Sequence, residues 1–169
     1  MKNKLMSLIL GVLMLTMPVM AMAADFSVSP VISVATFEDA DTTTGVGLKA
    51  EASNLGYVIP SEVVLGSGVN FYDLGTSDLY RVPATVGYNF AVKDNLTITP
   101  NIGLVVDILD IDANDAESSV GFTTGANVAL KATENLSLVV GVAYVANTVE
   151  DANLNLDGYT FSGGASYKF

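Results

Sequence analysis

The sequence predicts an all-β chain, an eight-stranded antiparallel up-and-down β-barrel that crosses a membrane. Three observations predict it. Apolar and polar residues alternate with period two over most of the chain after residue 24, the spacing that sends successive side chains to opposite faces of a sheet. The connections between the alternating segments are tight and long in turn, as when short turns lie on one side of a membrane and longer loops on the other. Charge within the segments falls on one face only, and an uncharged face is what hydrocarbon demands.

The first residues stand apart from this pattern. Lys2 and Lys4 precede an apolar run from Leu5 to Met20, and Ala21-Met22-Ala23 supplies a small-x-small cleavage site. This is the pattern of a secretory signal peptide, residues 1–23, cleaved to leave a barrel domain over residues 24–169. Pro18 inside the run argues against a retained helix, and no later stretch is long and apolar enough to cross as one.

The strands follow in order. The N-terminal half predicts strands at Asp25–Phe37, Gly45–Ser53 and Glu62–Tyr72, with a turn somewhere in Asn54–Ser61. From Tyr80 to Val92 the set Tyr80, Val82, Ala84, Val86, Tyr88, Phe90 and Val92 opposes Arg81, Pro83, Thr85, Gly87, Asn89 and Ala91. Leu96–Ile108 and Val120–Ala132 alternate in the same way, and Leu136–Thr148 does so with Val139 and Val145 on the polar side. In the last segment Tyr159, Phe161, Gly163, Ala165, Tyr167 and Phe169 share one face. Pro30, Pro83 and Pro100 are expected at strand ends or bulges, since proline donates no ladder hydrogen bond. Lys93-Asp94-Asn95 and Thr133-Glu134-Asn135 read as tight inner turns, and Glu38–Thr44, Asp73–Asp78, Leu109–Ser118 and Val149–Gly158 as longer outer loops.

What occupies the polar face separates a membrane barrel from a soluble one. It carries Lys49, Glu51, Glu62, Arg81, Asp107, Lys131 and Lys168 among many glycines, including Gly47, Gly66, Gly68, Gly103 and Gly125. A few long ionic side chains among small ones suit the narrow interior of eight strands, which side chains fill. The apolar face then meets lipid. Phe37, Phe71, Tyr80, Phe122, Tyr144 and Tyr159 are expected as an aromatic belt at the loop end, and Tyr88, Phe90, Tyr167 and Phe169 at the turn end.

The closing Tyr167-Lys168-Phe169 resembles the terminal signal of bacterial outer-membrane barrels, a final Phe behind alternating apolar residues. Gly87-Tyr88-Asn89-Phe90 with Asp94-Asn95-Leu96, and Glu134-Asn135-Leu136, resemble strand–turn–strand junctions of small barrels such as the membrane domain of outer-membrane protein A. The resemblance implies a location in the outer membrane of a Gram-negative cell, with lipid and lipopolysaccharide as surroundings. It further implies that Tyr167 and Phe169 are the signal read by the barrel-assembly machinery. The lumen charges also resemble the lumen pairs of that protein.

Composition narrows function by exclusion. Without His or Cys, triad chemistry, His general bases, thiol nucleophiles and zinc–thiolate sites drop out, so no enzyme is expected. Removing Lys2 and Lys4 leaves five basic residues against 18 acidic ones, a formal charge of −13, which excludes nucleic acid as a partner. A wide pore needs about 16 strands. Two constellations remain. The lumen charges form either a structural plug of ion pairs or a narrow gated path. The outer loops hold Glu38, Asp39, Asp41, Asp73, Asp78, Asp110, Asp112, Asp115, Glu117, Glu150, Asp151 and Asp157 with no Lys or Arg. They form either a solvated surface or a place where Ca²⁺ or Mg²⁺ bridges carboxylate to the anionic lipid. Asp110, Asp112, Asn114, Asp115 and Glu117 resemble the start of a calcium loop, although Asp115 and Gly121 stand where Gly and Glu belong. The reading is therefore a monomeric, non-enzymatic integral barrel with a structural, narrow-channel or surface-interaction role. Its rival is a soluble periplasmic or secreted β-barrel that binds a small apolar ligand.

Overall fold

The computed structural model describes residues 25–38, 41–56, 59–75, 77–112, 115–147 and 156–169. The expected signal segment lies outside them. The described chain is all strand and connection: β1 (Asp25–Phe37), β2 (Thr43–Ser53), β3 (Val63–Asp73), β4 (Asp78–Tyr88), β5 (Phe90–Lys93), β6 (Leu96–Asp112), β7 (Asp115–Lys131), β8 (Leu136–Asn147) and β9 (Gly158–Lys168). β4 and β5 are two lengths of one barrel strand, interrupted at Asn89 and both paired with β6. Eight strands result. All pairs are antiparallel, each to its sequence neighbour, with β1 against β9 closing the ring.

Period two now has a direction. Ser27, Ser29, Val31 and Ser33 of β1, and Lys49 and Glu51 of β2, share the inner face with Arg81, Asp107, Thr123 and Ser162. The other face is apolar and bare: Ile32, Val46, Ile102, Phe122, Leu138, Val140 and Phe161 are each more than half exposed. An apolar surface that encircles the whole molecule has no place in water. The rival reading, a soluble barrel with its apolar face inside, fails on this inversion.

Aromatic pairs mark both ends of the outer face. Phe71 with Tyr80 and Tyr144 with Tyr159 pack with tilted rings at the loop end, at 5.3 and 5.0 Å between centroids. At the turn end Phe26 stacks on Phe169, Tyr167 meets Phe169 edge to face, and Tyr88 packs tilted against Phe90. From Tyr80 to Tyr88 a strand climbs roughly 26 Å at ~3.3 Å per residue, or about 20 Å of height at a ~40° tilt, near the apolar band of such barrels. Phe37 departs from the expectation. It lies on the inner face, 7% exposed.

Three further expectations are corrected. The first inner connection is long, residues 54–62, with Asn54 and Gly56 in the left-handed region and Pro60 O accepting from Val63 N. Glu62 belongs to it as an exposed turn residue, one short of β3. The outer connection taken as Leu109–Ser118 is a hairpin, because β6 and β7 pair on to Asp112 and Asp115, with a register shift between Asp110 and Asp112. The prolines sit within strands. Around Pro30 the ladder to β9 passes from Val28 to Val31, around Pro83 the ladder to β3 passes from Arg81 to Ala84, and Pro100 lies opposite the break at Asn89. Each removes one N–H on one side only, and the opposite ladder is intact through Pro30–Leu48, Pro83–Val105 and Pro100–Ala126.

Two outcomes follow from this geometry. The unboiled protein in SDS should migrate as a compact band that shifts on boiling; a single mobility at both temperatures would contradict a closed barrel. Leu104→Arg, on the bare face opposite Ala84, midway between the Tyr80 and Tyr88 levels, should destabilise folding into phospholipid vesicles by about 2–4 kcal/mol in urea titration.

Candidate functional site

Register decides which lumen charges meet. Arg81 of β4 is the cross-strand partner of Asp107 of β6. Nε and Nη2 of Arg81 donate to the two carboxylate oxygens at 2.8 and 2.6 Å. The side chains are 3% and 0% exposed, so desolvation is near complete and only this fork-to-fork geometry offsets it. Nη2 also donates to Leu156 O at 2.9 Å. The guanidinium stands 5.2 Å from the Phe37 ring centroid, within cation–π range.

Above the pair the lumen closes on apolar side chains. Ala35, Phe37, Tyr72, Leu79, Leu109 and Leu156 form one buried cluster, with Leu74 packed against it. The ring of Tyr72 lies across Gly45 at a distance where a β-carbon could not fit, so Gly45 admits the largest member of the plug. Leu156 comes from the chain preceding β9, held by the Arg81 bond and by Glu38 N donating to Asp157 O at 3.0 Å.

The other predicted lumen residues separate. Lys49 and Glu51 pair at 2.7 Å on β2, about one-quarter exposed, opposite Gly68 and Gly66, whose missing side chains give them room. Lys168 pairs with Asp25, the first residue of β1, at the turn-end mouth. Lys131 is exposed at the same mouth and joins none of the ion pairs among the described residues. Glu62 lies outside the lumen altogether. Beneath the plug is a cavity of about 100 Å³. A vestibule of about 240 Å³ lies at the turn end, lined by Asp25, Glu51, Asn89 and Lys168. Asn127 borders both.

The loop-end rim is acidic in an ordered way. Asp73 is the register partner of Asp78, and Asp78 of Asp110. All three share the outward parity of Phe71, Tyr80 and Ile108, the row immediately below. Like charges directly opposite in a ladder repel. Among the described residues no three carboxylates converge to hold a metal ion. The expected calcium loop has strand backbone from Asp110 to Asp112 and again at Asp115. Asn114 lies outside the described residues, as do the side chains of Asp112 and Asp115. Glu117 lies opposite Leu109 with its Oε2 buried. At the other end, Tyr167 and Phe169 present their rings outward, and Phe169 N donates to Phe26 O at 2.9 Å across the closing seam.

Comparison with known proteins agrees with this geometry. The sequence profile described as outer membrane protein beta-barrel domain matches residues 7–169. No curated protein matches the sequence. Among solved structures, the fold is similar to Neisserial surface protein A (TM-score 0.69, 15% identity, 86% of this chain and 96% of that one). It is also similar to the N-terminal barrel of Pseudomonas aeruginosa OprF (0.63, 12%, 87% and 98%). A third similar structure is the Yersinia pestis attachment invasion locus protein Ail in complex with the heparin analogue sucrose octasulfate (0.60, 13%, 88% and 100%).

Breaking the buried pair should be costly in a way that removing it is not. Arg81→Ala strands the Asp107 carboxylate and should lower stability by about 3–5 kcal/mol, while the double change Arg81→Met with Asp107→Leu should recover most of the loss. Urea-induced unfolding in vesicles measures both.

Proposed function

The chain belongs to the outer membrane protein β-barrel family, and within it we propose a monomeric, non-enzymatic barrel that is closed to ions at rest and engages the anionic lipid surface through its rim. The carrying observation is the seal: Arg81 joins Asp107 and Leu156 O directly beneath the Phe37–Tyr72–Leu79–Leu109 plug. An ion passing this point would have to shed water among apolar side chains or break a desolvated pair. Either step is a barrier of several kcal/mol. The polar vestibule at the turn end therefore leads into a blind lumen.

A second reading concerns the rim. The row Asp73–Asp78–Asp110 faces outward, one step beyond the Phe71–Tyr80 pair. That places carboxylates at headgroup height, where lipopolysaccharide is also anionic. Ca²⁺ or Mg²⁺ bridging the row to lipid phosphate relieves both repulsions, since hard cations accept mixed oxygen ligands. The described carboxylates do not converge on one point, which favours bridging over a self-contained site. Sucrose octasulfate binding by Ail shows that one structural relative accepts a polyanion; in this chain the acidic rim leaves that role to a cation.

Planar bilayers and calorimetry test the two readings. The purified barrel should give no discrete conductance steps, and replacing Leu156 and Phe37 by Ala should open them. Steps in the unaltered protein would sink the sealed-lumen reading. Ca²⁺ should bind more tightly to barrel embedded with lipopolysaccharide than to barrel in neutral detergent, by about tenfold. Asp73→Asn, Asp78→Asn and Asp110→Asn together should remove that difference.

A further inference from the structure

The cavity beneath the plug has a one-sided wall. It includes Lys49 and Arg81 but neither Glu51 nor Asp107, so both cations of the two lumen pairs border it and both anions stand back. The rest is uncharged, in large part apolar (Val31, Val105 and Val145 among others), with Asn70, Asn101, Asn127 and Ser162 among its polar residues. A space bordered by two cations in a low-dielectric interior favours negative charge.

The unspent hydrogen bonds point the same way. Arg81 commits Nε and Nη2 to Asp107 and Leu156, while Nη1 is buried without a partner. Thr160, also in the wall, has its hydroxyl buried and unpartnered. Two more such hydroxyls lie close by in register, outside the wall: Ser33, cross-strand partner of the wall residue Ser162, and Tyr72, whose cross-strand partner Gly45 pairs with Ser33. A guanidinium nitrogen can only donate, and each hydroxyl can donate. Glu117 Oε2, the carboxylate oxygen and so the purely accepting atom among the buried unpartnered ones of the described residues, sits opposite Leu109 in the plug row, outside the cavity wall. A buried polar group without a partner is costly, and the two orphans in the wall, Arg81 Nη1 and Thr160 Oγ1, can both be satisfied by one acceptor in the cavity.

We propose that this cavity is a binding site for one small inorganic anion of the halide class. Arg81 Nη1 and Thr160 Oγ1 donate to it, and Lys49 supplies long-range attraction. The size of the cavity excludes larger oxyanions with their hydration. Entry runs from the periplasmic vestibule past Asn127, which borders both spaces; the site shares Arg81 with the seal, but an anion reaches it from below without crossing the plug.

Bromide locates the ion directly. Crystals of the refolded full barrel, grown in sodium bromide and measured at the bromine absorption edge, should show an anomalous peak within hydrogen-bonding reach of Arg81 Nη1 and Thr160 Oγ1. In solution, replacing sodium sulfate by sodium chloride at constant ionic strength should raise the thermal midpoint in detergent by about 2–4 °C. Thr160→Val, which keeps the shape of the side chain, should abolish that rise while leaving the gel-mobility shift intact. A cavity that refines as water alone with no anomalous signal overturns the proposal, as does a chloride response that survives unchanged in Thr160→Val. Neither outcome bears on conductance, so the sealed-lumen reading stands or falls separately.

Discussion

A backbone amide left unpaired in hydrocarbon costs several kcal/mol, and every strand presents such groups along both sides. Closure is the only escape for a sheet, and the rest of this molecule follows from it. β1 must find β9, as it does from Ser27–Lys168 to Phe37–Gly158. The strand formed by β4 and β5 must stay on β6 despite the break at Asn89. Even the prolines obey the constraint, because each surrenders one bond on one side and keeps the other ladder. Once the ring is closed, only two surfaces remain, one for lipid and one for a lumen too narrow to be a channel by default.

The narrow lumen turns side-chain length into architecture. Lys49 and Glu51 extend where Gly68 and Gly66 face them, and Tyr72 reaches over Gly45. Arg81 and Asp107 have no room to be solvated, so they pair completely. With apolar residues stacked above and polar ones below, the lumen is a gradient: dry at the loop end, wet at the turn end.

The fold was legible because lipid and lumen demand opposite chemistry at alternate positions. Val86, Ile102 and Phe122 pointed outward as their parity required, and Arg81 and Asp107 inward. The plug was less legible. Ala35, Phe37, Tyr72, Leu79, Val105 and Leu109 share the inward parity, but apolar residues on a polar face read as noise or belt until the ring is closed. Val139 and Val145, which blurred the pattern of β8, belong to the same lumen wall. Pair identity was illegible because it depends on shear: Arg81 meets Asp107 only through the β4–β6 register, and Lys168 meets Asp25 only across the seam. The connection between β6 and β7 was misread because acidic residues stood in for turn signals: Asp110 faces outward at the rim and Glu117 inward beside Leu109, yet both carry strand backbone. The chemistry of the lumen cavity could not be read at all, because it depends on which partner of each ion pair turns toward the open space.

The β1–β9 seam gives the molecule a history as well as a shape. Every other strand pair is a hairpin, available as soon as two consecutive segments exist, but the seam joins Ser27 to Lys168 across the whole described chain. Its loop-closure entropy is the largest in the structure, and non-local pairings of this kind form slowly. Until it forms, β1 and β9 are two raw edges, each a template for another chain. The acidic balance of the sequence then acts on the unfinished protein: like-charged chains hold one another apart during the interval in which those edges are open.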